Sequence, residues 1–151
     1  MKMALSPVEV YESTVIPRPV EEVWNAVRKF GALNKYVAAA SSVTLSTEGA
    51  DTTVGVVRDI AIGDKHVYET LLALDDVNHV LTYNILPYTD NAGVSPFPGK
   101  LVNYRATQKL HHISSTGETF MQWYATFLSD NPTETKSFVE GVFKAGFEGL
   151  A

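Results

Sequence analysis

The sequence contains no cysteine, which excludes a disulfide scaffold, a thiol nucleophile and a thiolate metal site. It has no Lys/Arg cluster, and its net charge is −5, so the electrostatic footprint of a nucleic-acid-binding protein is missing. No apolar run approaches the roughly 20 residues of a membrane span, and residues 1–7 lack the apolar stretch of a signal peptide. We therefore expect a soluble, cytoplasmic protein with no nucleic-acid partner and no membrane span.

Signals for cofactors are also absent. Of the four histidines, His111 and His112 are neighbours that point to opposite faces of a strand, and His66 and His79 stand apart at strand starts. Gly141 and Gly146 have the spacing of a phosphate loop, but Phe147-Glu148 follows in place of Lys-Ser/Thr. There is no Gly-x-Ser-x-Gly motif either. We expect no metal and no cofactor.

What is present is the pattern of one α+β domain over residues 1–151. Val8 to Ile16 is rich in β-branched residues and predicts a strand that Pro17 ends. A helix is predicted from about Pro19, with acidic residues in its first turn, an apolar stripe to Phe30 and a stop at Gly31. A second short helix is predicted over 33–37.

The middle of the chain predicts six strands separated by turn residues. They cover 42–48, 53–62, 66–75, 79–87, 101–113 and 118–128, and their short connections favour an antiparallel meander. After Pro132 the apolar residues recur at helical spacing to the end of the chain. The predicted fold is a curved seven-stranded antiparallel sheet wrapped around a long C-terminal helix. One helix cannot fill such a sheet completely, so we expect an internal cavity that takes small molecules.

The pair Gly63-Asp64 predicts a two-residue hairpin turn. With that turn, Ile62 pairs with Lys65, and Arg58 lies directly opposite Glu69. Alternation puts both charged side chains on the apolar face of the sheet, with facing Cβ atoms about 5 Å apart.

Alternation also assigns the side chains of the later strands to the inner or the outer face of the sheet. Tyr83 and Ile85 are assigned to the inner face, together with Val102, Tyr104, Ala106, Leu110, Met121, Trp123, Ala125 and Phe127. The predicted cavity wall is therefore aliphatic and aromatic, and its polar side chains are Arg58, Glu69, Tyr83 and Tyr104. The C-terminal helix contains Gly141, Gly146 and Gly149, and two explanations stay open: close approach of helix and sheet, or room for a ligand.

Several runs of this sequence resemble one superfamily. They are 56–60 (VVRDI), 68–76 (YETLLALDD), 79–83 (HVLTY), 101–107 (LVNYRAT) and 122–127 (QWYATF). Over about residues 8–151 the chain resembles the polyketide cyclase/dehydrase and lipid-transport (SRPBCC) superfamily, which includes START domains, the birch pollen allergen and the abscisic-acid receptors.

The resemblance implies a helix-grip fold with a cavity between the sheet and the last helix. It implies pocket contacts at Glu69, Tyr83, Ile85, Tyr104, Trp123, Phe138 and Val142. Arg58 and Glu69 are similar to the proton-handling pair of lachrymatory-factor synthase. The abscisic-acid receptors have a pocket lysine near Ala39 and a Ser-Gly-Leu-Pro gate at 62–65, and this chain has neither, which disfavours a hormone receptor of that type. The polar segment 89–99 is a candidate lid.

Two functions follow. The first is a carrier or binding protein for a small hydrophobic or aromatic molecule, held by Arg58, Ile60, Glu69, Tyr83, Ile85, Tyr104, Trp123, Phe138 and Val142. The alternative is a cyclase, dehydratase or isomerase in the same cavity. There Glu69 moves a proton while Arg58 or a tyrosine stabilises an oxyanion. Two further alternatives are a purely structural Arg58–Glu69 pair and an interaction module that reports ligand occupancy. We expect a monomer or a homodimer.

Overall fold

A computed structural model describes residues 4–46, 49–87 and 95–151. The order of its elements matches the predicted order of one strand, a short helix pair, six strands and a long helix. The strands are β1 (Ser6–Ile16), β2 (Ser42–Leu45), β3 (Val57–Ile62), β4 (Lys65–Asp75), β5 (Val80–Ile85), β6 (Val102–His112) and β7 (Thr119–Ser129). The helices are α1 (Val20–Val27), a 3-10 helix (Phe30–Lys35) and α2 (Pro132–Leu150).

The strands form one antiparallel sheet in the order β1-β7-β6-β5-β4-β3-β2. Helix α2 packs against β1 and β7, and it buries Val139, Phe143, Phe147 and Leu150 of its apolar stripe. Because α2 covers only part of the inner face, the β3, β4 and β5 side of that face is left to line a cavity. The predicted fold class is confirmed.

Helix α1 starts after Pro19 and carries Glu21 and Glu22 in its first turn, where the helix dipole favours negative charge. The C-terminal end of α1 is hydrogen-bonded to the β4–β5 turn. Asp76 of that turn accepts hydrogen bonds from the Trp24 indole (2.8 Å) and from two nitrogens of Arg28 (2.9 and 3.1 Å). These hydrogen bonds join α1 to the β4–β5 turn.

The predicted strand bounds differ from the structure at several ends. Residues 53–56 precede β3 instead of starting it: residues 54–55 form a turn, and Gly55 has a positive φ of 98°. The strand predicted over 79–87 is shorter, because His79 has a φ of 56° and belongs to the preceding turn. Of the strand predicted over 42–48, only Ser42–Leu45 is extended, and residues 47–48 lie outside the described ranges.

One inward assignment in β6 is wrong. Val102, predicted to face the core with Tyr104, is only half-buried, whereas Leu101 is buried. The cause is a β-bulge between Val102 and Arg105, where Asn103 adopts a left-handed φ of 55° and adds one residue to the strand. Tyr104, Ala106 and Leu110 face inward as predicted.

Candidate functional site

A cavity lies between the inner face of the sheet and the N-terminal half of α2, and its volume is about 50 Å³. Nearly all of its wall is aliphatic or aromatic. Eight of the nine predicted ligand-binding residues line it: Ile60, Glu69, Tyr83, Ile85, Tyr104, Trp123, Phe138 and Val142. The ninth, Arg58, lies behind Glu69 and is not part of the lining.

Strand alternation explains why these residues converge. β3 contributes Ile60, β4 contributes Glu69, and β5 contributes Tyr83 and Ile85, all in positions that point to the same face. A second group of lining residues was not predicted from the sequence: Leu33, Val37, Ala40, Ile62, Val67, Phe97, Val139 and Phe143. Ile62, Val67, Val139 and Phe143 continue the predicted apolar patterns, so that signal was present in the sequence. Leu33, Val37, Ala40 and Phe97 come from non-strand segments whose direction no periodicity fixes.

Arg58 and Glu69 form a buried ion pair, in the register that the Gly63-Asp64 turn predicts. The exposed fraction is 1% for Arg58 and 6% for Glu69. Arg58 Nε and Nη2 donate hydrogen bonds of 2.9 and 2.6 Å, and both end on the same carboxylate oxygen, Oε1 of Glu69. Arg58 therefore leaves the second oxygen of Glu69 unused.

The remaining contacts of Arg58 fix it in place. Its Nη1 donates a hydrogen bond of 2.9 Å to the carbonyl oxygen of Phe30. The guanidinium carbon lies 3.7 Å from the centre of the Phe30 ring and 5.0 Å from that of Tyr83, within the range of cation–π attraction. Arg58 thus joins the 3-10 helix to the sheet while it holds Glu69.

Burial raises the pKa of the Glu69 carboxyl, because the charged form loses its solvation. The charge of Arg58 and its hydrogen bonds oppose this effect. Two short bonds from a guanidinium to one oxygen favour the ionised carboxylate at neutral pH. A carboxylate whose pKa is raised in this way is suited to accept a proton or a hydrogen bond from a molecule in the cavity.

Two tyrosine hydroxyls stand beside this carboxylate. The indole nitrogen of Trp123 donates a hydrogen bond of 3.1 Å to the Tyr83 hydroxyl. The rings of Tyr83 and Tyr104 have centroids 6.3 Å apart. Burial raises the pKa of both Tyr83 and Tyr104, and the nearby charge of Glu69 adds to it, so both hydroxyls stay protonated. The polar part of the cavity therefore offers one carboxylate and two phenols.

A second buried polar pair was not anticipated from the sequence. The Gln108 amide donates a hydrogen bond of 3.2 Å to the Tyr36 hydroxyl, and both residues are buried. Burial also raises the pKa of Tyr36. Gln108 is in phase with Tyr104, Ala106 and Leu110 on β6, so alternation alone identifies it as inward. Neither residue lines the cavity, and the pair supports the wall from behind.

The surroundings of the glycines in α2 show whether they permit close approach of helix and sheet or leave room for a ligand. A Cβ at Gly146 would lie 2.5 Å from the indole ring of Trp123, and one at Gly149 would overlap the backbone of Tyr36. Gly141 has no neighbour within 4 Å and is exposed. Close approach therefore accounts for Gly146 and Gly149, and neither glycine lines the cavity.

Part of the cavity wall is formed by half-buried side chains. Phe97 and Phe138 form an edge-to-face pair with ring centroids 5.3 Å apart, and Val142 and Ile62 flank them. The segment that carries Phe97 is held at the β7–α2 corner: Asn131 donates to the carbonyl oxygen of Pro98 (3.3 Å). Residues 89–94 of the predicted lid lie outside the described ranges. Because the cavity is smaller than the roughly 150 Å³ that holds benzene, a ligand must displace these side chains.

No three His, Asp or Glu side chains come together as a metal site within residues 4–46, 49–87 and 95–151. None of the helices in the described part of the chain is both long and apolar enough to span a bilayer.

Comparisons with solved structures agree with this architecture. A protein from Nitrosospira multiformis is 26% identical, with a TM-score of 0.79 and coverage of 95% of this chain and 93% of that one. A protein from Bacillus thuringiensis is also 26% identical, with a TM-score of 0.77 and coverage of 95% and 96%. Ara h 8.0201 is 17% identical, with a TM-score of 0.73 and coverage of 96% and 95%, and shares the helix-grip fold.

No curated protein matches the sequence. The family model described as "Polyketide cyclase / dehydrase and lipid transport" matches residues 7–151, which is nearly the whole chain. The resemblance drawn from the sequence is confirmed. The chain belongs to the polyketide cyclase/dehydrase and lipid transport family.

Proposed function

We propose that this protein binds a small hydrophobic or aromatic molecule in the cavity between the sheet and α2, as a carrier or binding protein. The observation that supports this best is an apolar cavity whose described lining residues include one carboxylate, Glu69. Apolar walls with a few well-placed polar groups are typical of small-molecule sites. The half-buried rings of Phe97 and Phe138 provide the part of the wall that yields when a ligand enters.

Native mass spectrometry of the protein from its own host, followed by solvent extraction, tests this proposal. We expect a small molecule bound at one per chain. Titration with 2-naphthol, followed by tryptophan fluorescence, gives an independent test, because Trp123 lines the cavity. The fluorescence change is expected to persist in Trp24→Phe and to be lost in Trp123→Phe. If neither a bound molecule nor a saturable change is found, the proposal is wrong.

A second function, catalysis in the same cavity, is favoured by one observation. Arg58 binds only one oxygen of Glu69, so the other oxygen is available to take a proton from a substrate. In this alternative the protein is a cyclase, dehydratase or isomerase, and the Tyr83 or Tyr104 hydroxyl stabilises the developing oxyanion.

Glu69→Gln discriminates between the two functions once a bound molecule is known. If the protein is an enzyme, the variant keeps affinity for that molecule and loses turnover. If wild type shows no turnover, or if Glu69→Gln changes affinity alone, the catalytic alternative fails. Glu118→Gln, in the β6–β7 hairpin, is the matched control and is expected to change neither quantity.

We propose further that the domain acts in the cytoplasm as a monomer or homodimer, without nucleic acid. The absence of cysteine and the net charge of −5 support this. Light scattering coupled to gel filtration measures the oligomeric state. A shift of a labelled oligonucleotide in a binding assay at physiological salt would contradict the nucleic-acid part.

A further inference from the structure

At the polar end of the cavity, the described lining residues supply the Glu69 carboxylate and the Tyr83 and Tyr104 hydroxyls, and none of the described lining residues is a lysine or an arginine. We infer that the site selects a neutral ligand with a hydroxyl group, a phenol or an alcohol, and rejects carboxylates such as free fatty acids. This inference rests on the proposed binding function and names the chemical class of its ligand.

Arg58 is the cation that pairs with Glu69 of the cavity wall. Its Nε and Nη2 donate to Glu69, its Nη1 donates to the Phe30 carbonyl oxygen, and the Phe30 ring covers its face. It is 1% exposed and does not border the cavity. A ligand carboxylate therefore cannot reach the guanidinium unless Glu69 first gives way.

The Glu69 carboxylate, and not the Arg58 guanidinium, is the charged group that borders the cavity. Glu69 borders the cavity, and Arg58 uses only its Oε1. No fully buried side-chain nitrogen or oxygen in the described part of the chain lacks a partner. The second oxygen of Glu69, which Arg58 does not bind, is thus assigned to the cavity side, where it accepts a hydrogen bond from a ligand hydroxyl.

The tyrosine hydroxyls of the cavity wall are able to donate a hydrogen bond to a ligand carboxylate. The Tyr83 hydroxyl already accepts from Trp123, so its own proton is free for a ligand or for Tyr104. A carboxylate held there would stand beside the Glu69 carboxylate in a water-poor site. Like charges repel strongly in such surroundings, whereas a neutral hydroxyl donates to Glu69 and accepts from a tyrosine at no electrostatic cost.

Three probes with one ring system test the inference at pH 7 by calorimetry: 2-naphthol, 2-methoxynaphthalene and 2-naphthoate. The expected result is that 2-naphthol binds at least about tenfold more tightly than either of the others, since a hydrogen bond to a charged acceptor is the strong kind. Equal affinities for 2-naphthol and 2-methoxynaphthalene, or tighter binding of 2-naphthoate, would overturn it. If none of the three binds and native mass spectrometry also finds no bound molecule, the proposed function fails. If a molecule co-purifies with the protein but none of the three binds, the inference alone is overturned.

Glu69→Gln sharpens the test. It removes the acceptor charge and leaves the Arg58 charge without a counter-ion, so the order of affinities is expected to reverse in favour of 2-naphthoate. Glu118→Gln is the control and is expected to keep the wild-type order. Circular dichroism checks folding. If Glu69→Gln does not fold, the order of affinities in wild type alone decides. If it folds and keeps the wild-type order, Glu69 does not set the selectivity and the inference is wrong.

Discussion

Gly146 of α2 lies directly against the indole ring of Trp123 in β7, where a Cβ would stand 2.5 Å from ring carbon Cζ3. Carbon atoms do not approach each other so closely, so any larger residue must push the helix from the sheet or turn the indole. The ring of Phe143 stacks on the same indole, with centroids 4.4 Å apart. This contact fixes the distance between α2 and the sheet at one end of the cavity.

Gly146→Ala is therefore expected to lower the free energy of unfolding by about 1–3 kcal/mol, because overpacking exceeds the gain in helix propensity. Gly141→Ala is the matched control. It lies on the exposed face of the same helix with no atom within 4 Å, and we expect a gain of about 0.5–1 kcal/mol. Urea unfolding measures both. A gain in stability from Gly146→Ala would contradict the packing argument.

The Arg58–Glu69 pair gives a second prediction. Removing one partner, as in Glu69→Leu, leaves a buried uncompensated charge and is expected to cost about 3–5 kcal/mol. The double variant Arg58→Met/Glu69→Leu removes both charges and is expected to stay within about 2 kcal/mol of wild type. Urea unfolding of the two single variants and the double variant measures the coupling. If the losses in unfolding free energy of the two single variants add up to the loss in the double variant, the two residues do not act as a pair.

The same double variant separates a structural role from a binding role. If the pair only stabilises the sheet, the double variant keeps the wild-type order of affinities for the naphthalene probes. If Glu69 recognises the ligand, the preference for 2-naphthol over 2-methoxynaphthalene disappears while the protein stays folded. We expect the second result.

Phe138→Ala is expected to open the cavity mouth. Loss of the Phe97 contact removes part of the barrier to entry, so the association and dissociation rates of 2-naphthol should rise together in stopped-flow measurements. The cost in stability should be about 1–2 kcal/mol, because Phe138 is only half-buried. Phe120→Ala, which loses a ring contact with His111 outside the cavity, should leave both rates unchanged. Unchanged rates in Phe138→Ala would show that ligands enter elsewhere.

Asp76 gives a prediction on pH. Hydrogen bonds from Arg28, then from Trp24, lower the pKa of the Asp76 carboxyl in the folded state. A lowered folded pKa contributes stability that is present above the unfolded value of about 3.9 and is lost as pH falls through the folded value. Asp76→Asn should thus be less stable than wild type at pH 5.5, and the difference should shrink towards pH 2.5.

The size of this effect is limited by solvent. The Asp76 side chain is 52% exposed, so screening keeps the difference at pH 5.5 to about 1 kcal/mol or less. Urea unfolding at both pH values provides the measurement, and Asp64→Asn in the exposed β3–β4 turn is the control. If the stability difference between wild type and Asp76→Asn grows as pH falls, the pKa of Asp76 is not lowered in the folded state and the prediction is wrong.

The sequence determined the Arg58–Glu69 register well because one two-residue turn fixes the pairing of both strands. Gly63 at the turn has a φ of 63°, as a tight hairpin requires, and the register from 57 to 62 follows without a break. The inward positions in β7 followed from alternation for the same reason, since no bulge interrupts its pairing with β1.

Other features of the structure could not be predicted, because their physical causes leave no clear pattern in the sequence. The bulge at Asn103 depends on a left-handed residue that is not glycine, so alternation misassigned Val102. Tyr36 follows a 3-10 helix in which Ala32 is non-helical, so no periodicity gave its direction. The cavity itself was predicted, but its small volume depends on how the rings of Phe97 and Phe138 are turned, which spacing does not encode.

The close contacts of Gly146 and Gly149 also bear on how this chain changes over evolution or in engineering. Substitutions there alter the placement of the whole helix, so they cost folding before they can change a ligand preference. Ile62, Phe97, Phe138 and Val142 also line the cavity, and they are only half-buried. Variants that accept larger or smaller molecules should therefore arise at those four positions, and libraries that randomise them should retain the largest share of folded members.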